Sequence, residues 1–225
     1  MAVIGIVPAA GHAARLGLER GSKEVLPVGG RPVMDHLVER MRLAGCDRLR
    51  IVTRAAKTDV IGHSADLGAE VVLGEPASVG ASFELGLAGL APDDLVLFGF
   101  PDTIWTPADG FVRLRARIEA GESLAVGLFT SPYPERSDVA LLDAEERLAG
   151  IVTKSARPPS DLVYACLAGR VRALAGIGRF GEPGRFLAAR ARDAPIAVVR
   201  LSRVIDIGTP ESLAEAERDP VFETG

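Results

Sequence analysis

Lysine is scarce in this chain: Lys23, Lys57 and Lys154 stand against 23 arginines. A coding bias toward arginine accounts for the number of lysines but not for their positions. Cysteine is equally thin. Cys46 and Cys166 have no second thiol or histidine at ligand spacing, which argues against a zinc site and a disulfide framework and predicts two buried, reduced thiols. No apolar run approaches the roughly 20 residues of a membrane span, and Met1-Ala2-Val3 lacks the basic stretch that opens a signal peptide. A soluble, cytoplasmic protein with no membrane partner is expected. Neither sign of charge dominates: 26 basic and 30 acidic residues leave a net charge of -4, with no field to draw a nucleic acid polymer. Internal repeats and low-complexity linkers are missing too, which argues against a repeat array or a string of domains.

What is present is a chain of 225 residues, 48% hydrophobic, long enough for one sizeable core. A single domain over residues 1–225 is expected. Residues 2–8 read as an apolar strand that empties into Ala9-Ala10-Gly11-His12-Ala13-Ala14-Arg15. Val33, Leu37, Val38 and Met41 recur at helical spacing, and Gly45 ends that helix as its C′ glycine. A strand over 47–53, a weak helix over 58–67, a strand over 70–73, a helix over 78–90 and a strongly apolar strand over 95–98 follow. This β-α-β-α order with near-continuous apolar strands predicts an α/β fold with a doubly wound, mostly parallel mixed sheet and helices on both faces. Past Thr103 the pattern loosens. A helix over 107–120, a strand over 124–130 and short β-like runs at 139–142, 148–153 and 162–167 predict an antiparallel, sheet-rich extension. Helices near 170–175 and 184–191, a strand over 196–201, a turn at 206–210 and a last helix over 211–217 complete the reading.

Ligands of open α/β sheets bind beyond the carboxyl ends of the strands, so charged residues in the loops there carry weight. The first loop holds Gly11, Arg15 and Lys23. Small residues let backbone N–H groups approach an anion, and the two cations suit phosphate. The loop is neither a dinucleotide G-x-G-x-x-G nor a Walker A loop, and on spacing alone a surface loop with solvated cations reads equally well. The second loop, Gly74 to Ser82, opens a helix with small residues; Ser78 is either its N-cap or a polar edge for a ligand. The third carries Asp102 after the most apolar strand, where a divalent cation or a turn would satisfy the carboxylate. The fourth carries Asp206 before Ile207-Gly208-Thr209-Pro210, in which Thr209 and Pro210 suit the N-cap and first turn of the last helix. Two aspartates on separate strand ends, one phosphate loop and no nucleophile–base pair fit Mg²⁺ held by hard oxygens and phosphate. Two of the three lysines, Lys23 and Lys154, fall in segments that face phosphate on this reading.

Taken together, these pieces resemble the sugar-1-phosphate nucleotidyltransferases nearly from end to end. The resemblance rests on Ala9-Ala10-Gly11-His12-Ala13-Ala14-Arg15, on Ser22-Lys23-Glu24-Val25-Leu26-Pro27-Val28 with Pro32, on Phe98-Gly99-Phe100-Pro101-Asp102, on Val152-Thr153-Lys154 and on Asp206-Ile207-Gly208-Thr209-Pro210. It implies a Rossmann-like (GT-A-like) nucleotidyltransferase fold in compact form, with a nucleotide-binding half over about 1–105 and an acceptor-binding half over about 106–225. It also implies a Mg²⁺-dependent enzyme that joins a nucleoside triphosphate to a sugar 1-phosphate and releases pyrophosphate. By the same resemblance Arg15 grips the β- and γ-phosphates, Lys23 bridges the phosphates, and Lys154 holds the sugar phosphate or the α-phosphate. Ala10, Gly11, Glu75 and Gly80 would contact the nucleotide, and Asp102 and Asp206 the metal.

The chain departs from the family pattern in several places, among them Ala165 where a glycine is expected near Tyr164 and the lack of a proline beside Lys154. Ala13 and Ala14 replace a glycine and a threonine, and Thr153 replaces an acidic residue that grips sugar hydroxyls in relatives. Glu75 replaces the base-reading glutamine five residues before Gly80. A carboxylate only accepts hydrogen bonds, so Glu75 should suit guanine or cytosine rather than the O4 of uracil or thymine. These departures keep two alternatives in view: a non-sugar phosphate acceptor, giving a product of the CDP-alcohol kind, and a catalytically weak homologue that binds a nucleotide sugar and regulates a partner. The oligomeric state, monomer or dimer, is left open.

Overall fold

The computed structural model describes residues 1–11 and 21–218. Its centre is an apolar strand, β1 (Val3–Pro8), flanked in parallel by β4 (Arg48–Thr53) and β6 (Leu95–Gly99), with β5 (Glu70–Leu73) parallel to β4. Two short strands, β2 (Pro27–Val28) and β3 (Arg31–Pro32), form a separate hairpin. Beyond β6 the sheet turns antiparallel. Strand β11 (Leu162–Arg170) pairs with β6 along its second half, with β8 (Leu124–Thr130) on its other edge, and through Val163 with β9 (Val139–Leu142), which carries β10 (Leu148–Val152). Strand β12 (Ala197–Arg200) closes the other edge parallel to β8. The doubly wound mixed sheet with an antiparallel extension is thus the observed architecture.

Alternation along the central strands explains why both faces need helices. From β1, Val3 and Val7 point to one face and Ile4 and Ile6 to the other; from β6, Leu95 and Leu97 oppose Val96 and Phe98. The first face is covered by α1 (Val33–Leu43) through Met34, Leu37 and Met41, and by α4 (Gly110–Glu119) through Phe111 and Leu114. The second is covered by α3 (Val79–Leu87) through Phe83, and by α6 (Pro183–Asp193) through Phe186 and Leu187. Fully burying side chains of this size contributes roughly 1.5–3 kcal/mol each. Close packing also fixes glycine at Gly5, where a Cβ would lie 2.6 Å from the Met41 sulfur. The helix over residues 58–67 is well formed as α2 (Thr58–Asp66), and a one-turn α5 (Val171–Leu174) follows β11.

Two features differ from the sequence reading. Cys166 is buried, but Cys46, just before β4, is only half-buried, with its sulfur against the Gly5 amide and the Arg48 carbonyl. The region after Thr103 does not simply loosen. Thr103-Ile104-Trp105-Thr106 forms β7 (Thr103–Thr106) and pairs antiparallel with β13 (Arg203–Asp206), placing Asp206 opposite Thr103. Each strand has four residues and its partner lies about a hundred residues away, so neither shows in a local pattern. Ile104 and Ile207 pack with Val28, Val33 and Ala216 of the last helix, α7 (Pro210–Glu217), in a small third core. Among the described residues no helix is long and apolar enough to cross a membrane.

Candidate active site

The carboxyl ends of β1, β4, β5 and β6 share one edge of the sheet, and backbone bonds lace their loops together. Ala9 donates to the Val52 carbonyl at 2.7 Å and Gly74 to the Thr53 carbonyl at 3.0 Å. Asp102 follows β6 and is nearly buried. The β7–β13 ribbon brings Asp206 to it: the Ile207 N–H donates to the Asp102 carbonyl at 2.8 Å. Two sequence-distant aspartates therefore stand side by side because a short ribbon registers them.

Lys23 opens a 3₁₀ turn over Lys23–Val25 and pairs its ammonium with the Asp102 carboxylate. Burial pulls the Lys23 pKa down, but Asp102 beside it, with Glu24 and Asp206 further off, outweighs that and holds it above its ordinary value. Lys23, Asp102 and Asp206 thus form one electrostatic cluster. The two carboxylates are a hard-oxygen donor pair, and among the described residues they are not joined by a third His, Cys, Asp or Glu in a ligand cluster. That set fits Mg²⁺, which typically takes one or two carboxylates and fills its remaining positions with water and phosphate oxygens.

Ala10 is buried at the strand end and Gly11 is exposed, with nothing within 4 Å of where its Cβ would stand. Arg15, with Ala13 and Ala14, lies outside the described residues. Ser78 is the N-cap of α3, its hydroxyl accepting from the Ala81 amide at 3.1 Å. Gly80 is held by close backbone approach: its N–H donates to the Gly181 carbonyl at 2.7 Å, and a Cβ there would lie 2.8 Å from that oxygen. Glu75 is exposed and pairs with the Arg54 guanidinium. A groove of about 800 Å³ opens beside Glu75, walled by Ala81, Glu84 and Leu85 of α3; Lys23, Asp102 and Asp206 do not line it.

Lys154 is exposed just past the end of β10, where its amide donates to the Asp138 carboxylate at 3.2 Å. No contact in the structure joins its side chain to Lys23 or Asp102. The sheet nonetheless puts it on the same edge, because β11 runs antiparallel to β6 and begins beyond its carboxyl end, where Asp138 and Lys154 flank the β9–β10 pair.

Sequence reasoning missed the residues behind this edge. Arg54 donates to the carbonyls of Ala10, at 2.6 Å, and Pro76, at 3.0 Å, besides pairing with Glu75. Lys57 donates to the Ala9 carbonyl at 2.9 Å and to both oxygens of the fully buried Glu24, at 2.8 and 2.7 Å. Asp59 accepts from the Ser22 amide and hydroxyl. The available signal was position: Arg54 and Lys57 follow a parallel strand's carboxyl end, and Lys57 is the third of only three lysines.

Comparison with known proteins agrees with this fold. The chain is 24% identical over 168 residues to the low-salt glycan biosynthesis nucleotidyltransferase Agl11 of Haloferax volcanii, a match covering 70% of this chain and 46% of that protein. It is 30% identical over 134 residues to the bifunctional protein GlmU of Rhizorhabdus wittichii, covering 58% and 29% respectively. The chain thus spans less than half the length of either relative. The structure superimposes on UDP-glucose pyrophosphorylase complexed with UDP-glucose with a TM-score of 0.84 at 16% identity, over the whole of both chains, which establishes the shared fold. Residues 5–194 match the MobA-like NTP transferase domain, and the chain belongs to that family.

Proposed function

We propose that this protein transfers a nucleotidyl group from a nucleoside triphosphate to a sugar 1-phosphate, giving an NDP-sugar and pyrophosphate. The observation that carries the reading is the pairing of Lys23 with Asp102, beside Asp206, at the carboxyl edge of a MobA-like sheet. A similar fold complexed with UDP-glucose supports the sugar-nucleotide class.

The acceptor's phosphate oxygen attacks the α-phosphorus in line while the bond to pyrophosphate breaks, and the two electrons of that bond leave with the pyrophosphate oxygen. Two anions must be brought together, so positioning and charge stabilisation supply most of the catalysis. Lys23 leaves its contact with Asp102 for the phosphates, whose negative charge takes over from the carboxylate in favouring the ammonium. Arg15 grips the β- and γ-phosphates, and Lys154 meets the acceptor phosphate from the far side of the edge. Asp102 and Asp206 would hold Mg²⁺, which would supply neutralisation of charge on the nucleotide. Ala10 and Gly11 line the phosphates with backbone, while Glu75 faces the base and Gly80 packs behind it against Gly181.

A non-sugar phosphate acceptor is the second reading, favoured by Thr153 at the position where relatives carry an acidic residue. A matrix of nucleoside triphosphates against sugar 1-phosphates and alcohol phosphates, scored by pyrophosphate release with Mg²⁺, tests both. Turnover confined to sugar 1-phosphates supports the first reading. Turnover confined to alcohol phosphates supports the second, and no turnover in any pair overturns both.

A further inference from the structure

One short segment, Thr53 to Asp59, holds both ends of the stretch 12–20 that carries Arg15. At the near end, Thr53 Oγ1 and Lys57 Nζ both donate to the Ala9 carbonyl, at 3.1 and 2.9 Å, and Arg54 Nε donates to the Ala10 carbonyl at 2.6 Å. At the far end, Asp59 accepts from Ser22, and Lys57 meets both oxygens of Glu24, the neighbour of Lys23. Among the described residues Lys57 is the one side chain with hydrogen bonds to both ends. Its three N–H donors are fully used: one on the strand end and two on the turn.

We propose that Lys57 is a positioning residue for nucleotidyl transfer, fixing the separation between the end of β1 and the turn that aims Lys23 at Asp102. A buried ion pair is a weak source of stability, because desolvation offsets most of its attraction. Glu24 shows this cost: burial pushes its pKa above the ordinary carboxylate value despite the pull of Lys57. Pre-organisation of the catalytic lysine accounts for the placement better, since a shift of about 1 Å in a catalytic group lowers rates on the order of a hundredfold. Arg54 extends the same segment to Pro76 and Glu75, so the support of the phosphate loop and of the base loop is continuous.

The proposal rests on the role assigned to Lys23 under Proposed function, and its test has a readout that does not. With only three lysines, competitive acetylation followed by mass spectrometry resolves the reactivity of each. In Lys57→Met we expect Lys23 to acetylate about tenfold faster than in wild type, because its ammonium is no longer held against the Asp102 carboxylate. We also expect kcat to fall about 10- to 100-fold while KM for the nucleotide changes little, and Lys57→Arg to recover most of both. Leu187→Ala, in the core of α6 on the second face, serves as the control for general destabilisation and should leave Lys23 reactivity unchanged. Should Lys57→Met fail to fold, Lys57→Gln, which keeps an N–H donor for the Ala9 carbonyl but no charge for Glu24, gives the same acetylation readout. Wild-type Lys23 reactivity in a folded Lys57→Met or Lys57→Gln protein, or an equal rise in Leu187→Ala, overturns the proposal. If wild type turns over no substrate pair, the reading of function fails, while acetylation still decides whether Lys57 positions Lys23.

Discussion

Lys23 and Asp102 define the chemistry at the scale of single residues. Asp102 stands nearly buried with an ammonium as its partner, and removing either leaves the other uncompensated. The Lys23 pKa is raised, so by linkage its contribution to stability is fully present below the ordinary value of 10.5 and lost as pH climbs through the higher folded value. The stability difference between wild type and Lys23→Met should therefore be flat across neutral pH and shrink above about 10.5, read by chemical denaturation at stepped pH. A difference that instead shrank in the neutral range would place the lysine in a different environment. Glu75 gives a second test at this scale. Its carboxylate accepts hydrogen bonds only, and Arg54 already engages one oxygen, so guanine or cytosine nucleotides should bind in preference to uracil or thymine ones. Glu75→Gln should reverse that order by about tenfold or more in relative kcat/KM, since a mismatched polar group costs about 1–3 kcal/mol. An unchanged order would remove Glu75 from base selection.

Caps and ribbons decide matters among the elements. Ser78 and the Thr209-Pro210 pair were legible in the sequence because an N-cap is a local device, set by one side chain and the two or three residues after it. The structure adds that Thr209 and Ser212 form a reciprocal capping box, with the Ser212 amide donating to Thr209 Oγ1 at 3.2 Å. Thr209→Val should cost about 1 kcal/mol in thermal unfolding and leave turnover close to wild type, because Asp206 is set by the β7–β13 register and not by the cap. A fall in turnover out of proportion to stability would show that α7 tunes Asp206 directly. Asp102 and Asp206 were each visible as strand-end carboxylates and were read together as one donor pair, but the device that joins them was not: it is a four-residue pairing across the chain and the Ile207–Asp102 bond. Arg54, Lys57 and Asp59 escaped for the same reason. Their partners lie 33 to 48 residues away, apart from the Arg54 bonds to the β5 loop, and no periodicity marks a polar side chain that reaches across loops.

At the scale of the whole molecule, the fold was readable because burial on both faces of a parallel sheet imposes near-continuous apolar strands, seen in Val3–Pro8 and Leu95–Gly99, while the family was readable only through the resemblance of the loop motifs. The antiparallel second half was readable only as short β runs; that β11 joins β6, β8 and β9 into one sheet depends on long-range pairing. This joining puts Lys154 and Asp138 on the edge that carries Lys23 and Asp102, where an acceptor and a triphosphate would meet. The central claim is that nucleotidyl transfer takes place at the Lys23–Asp102–Asp206 cluster. Its most direct test is single-turnover pyrophosphate release by wild type and Asp102→Ala, using the best substrate pair from the matrix and with native folding of both verified by unfolding curves. Removing one charge-assisted interaction there costs about 2–4 kcal/mol of transition-state stabilisation, so Asp102→Ala should be slower by roughly 30- to 1,000-fold. A folded Asp102→Ala protein that releases pyrophosphate at the wild-type rate would contradict the account.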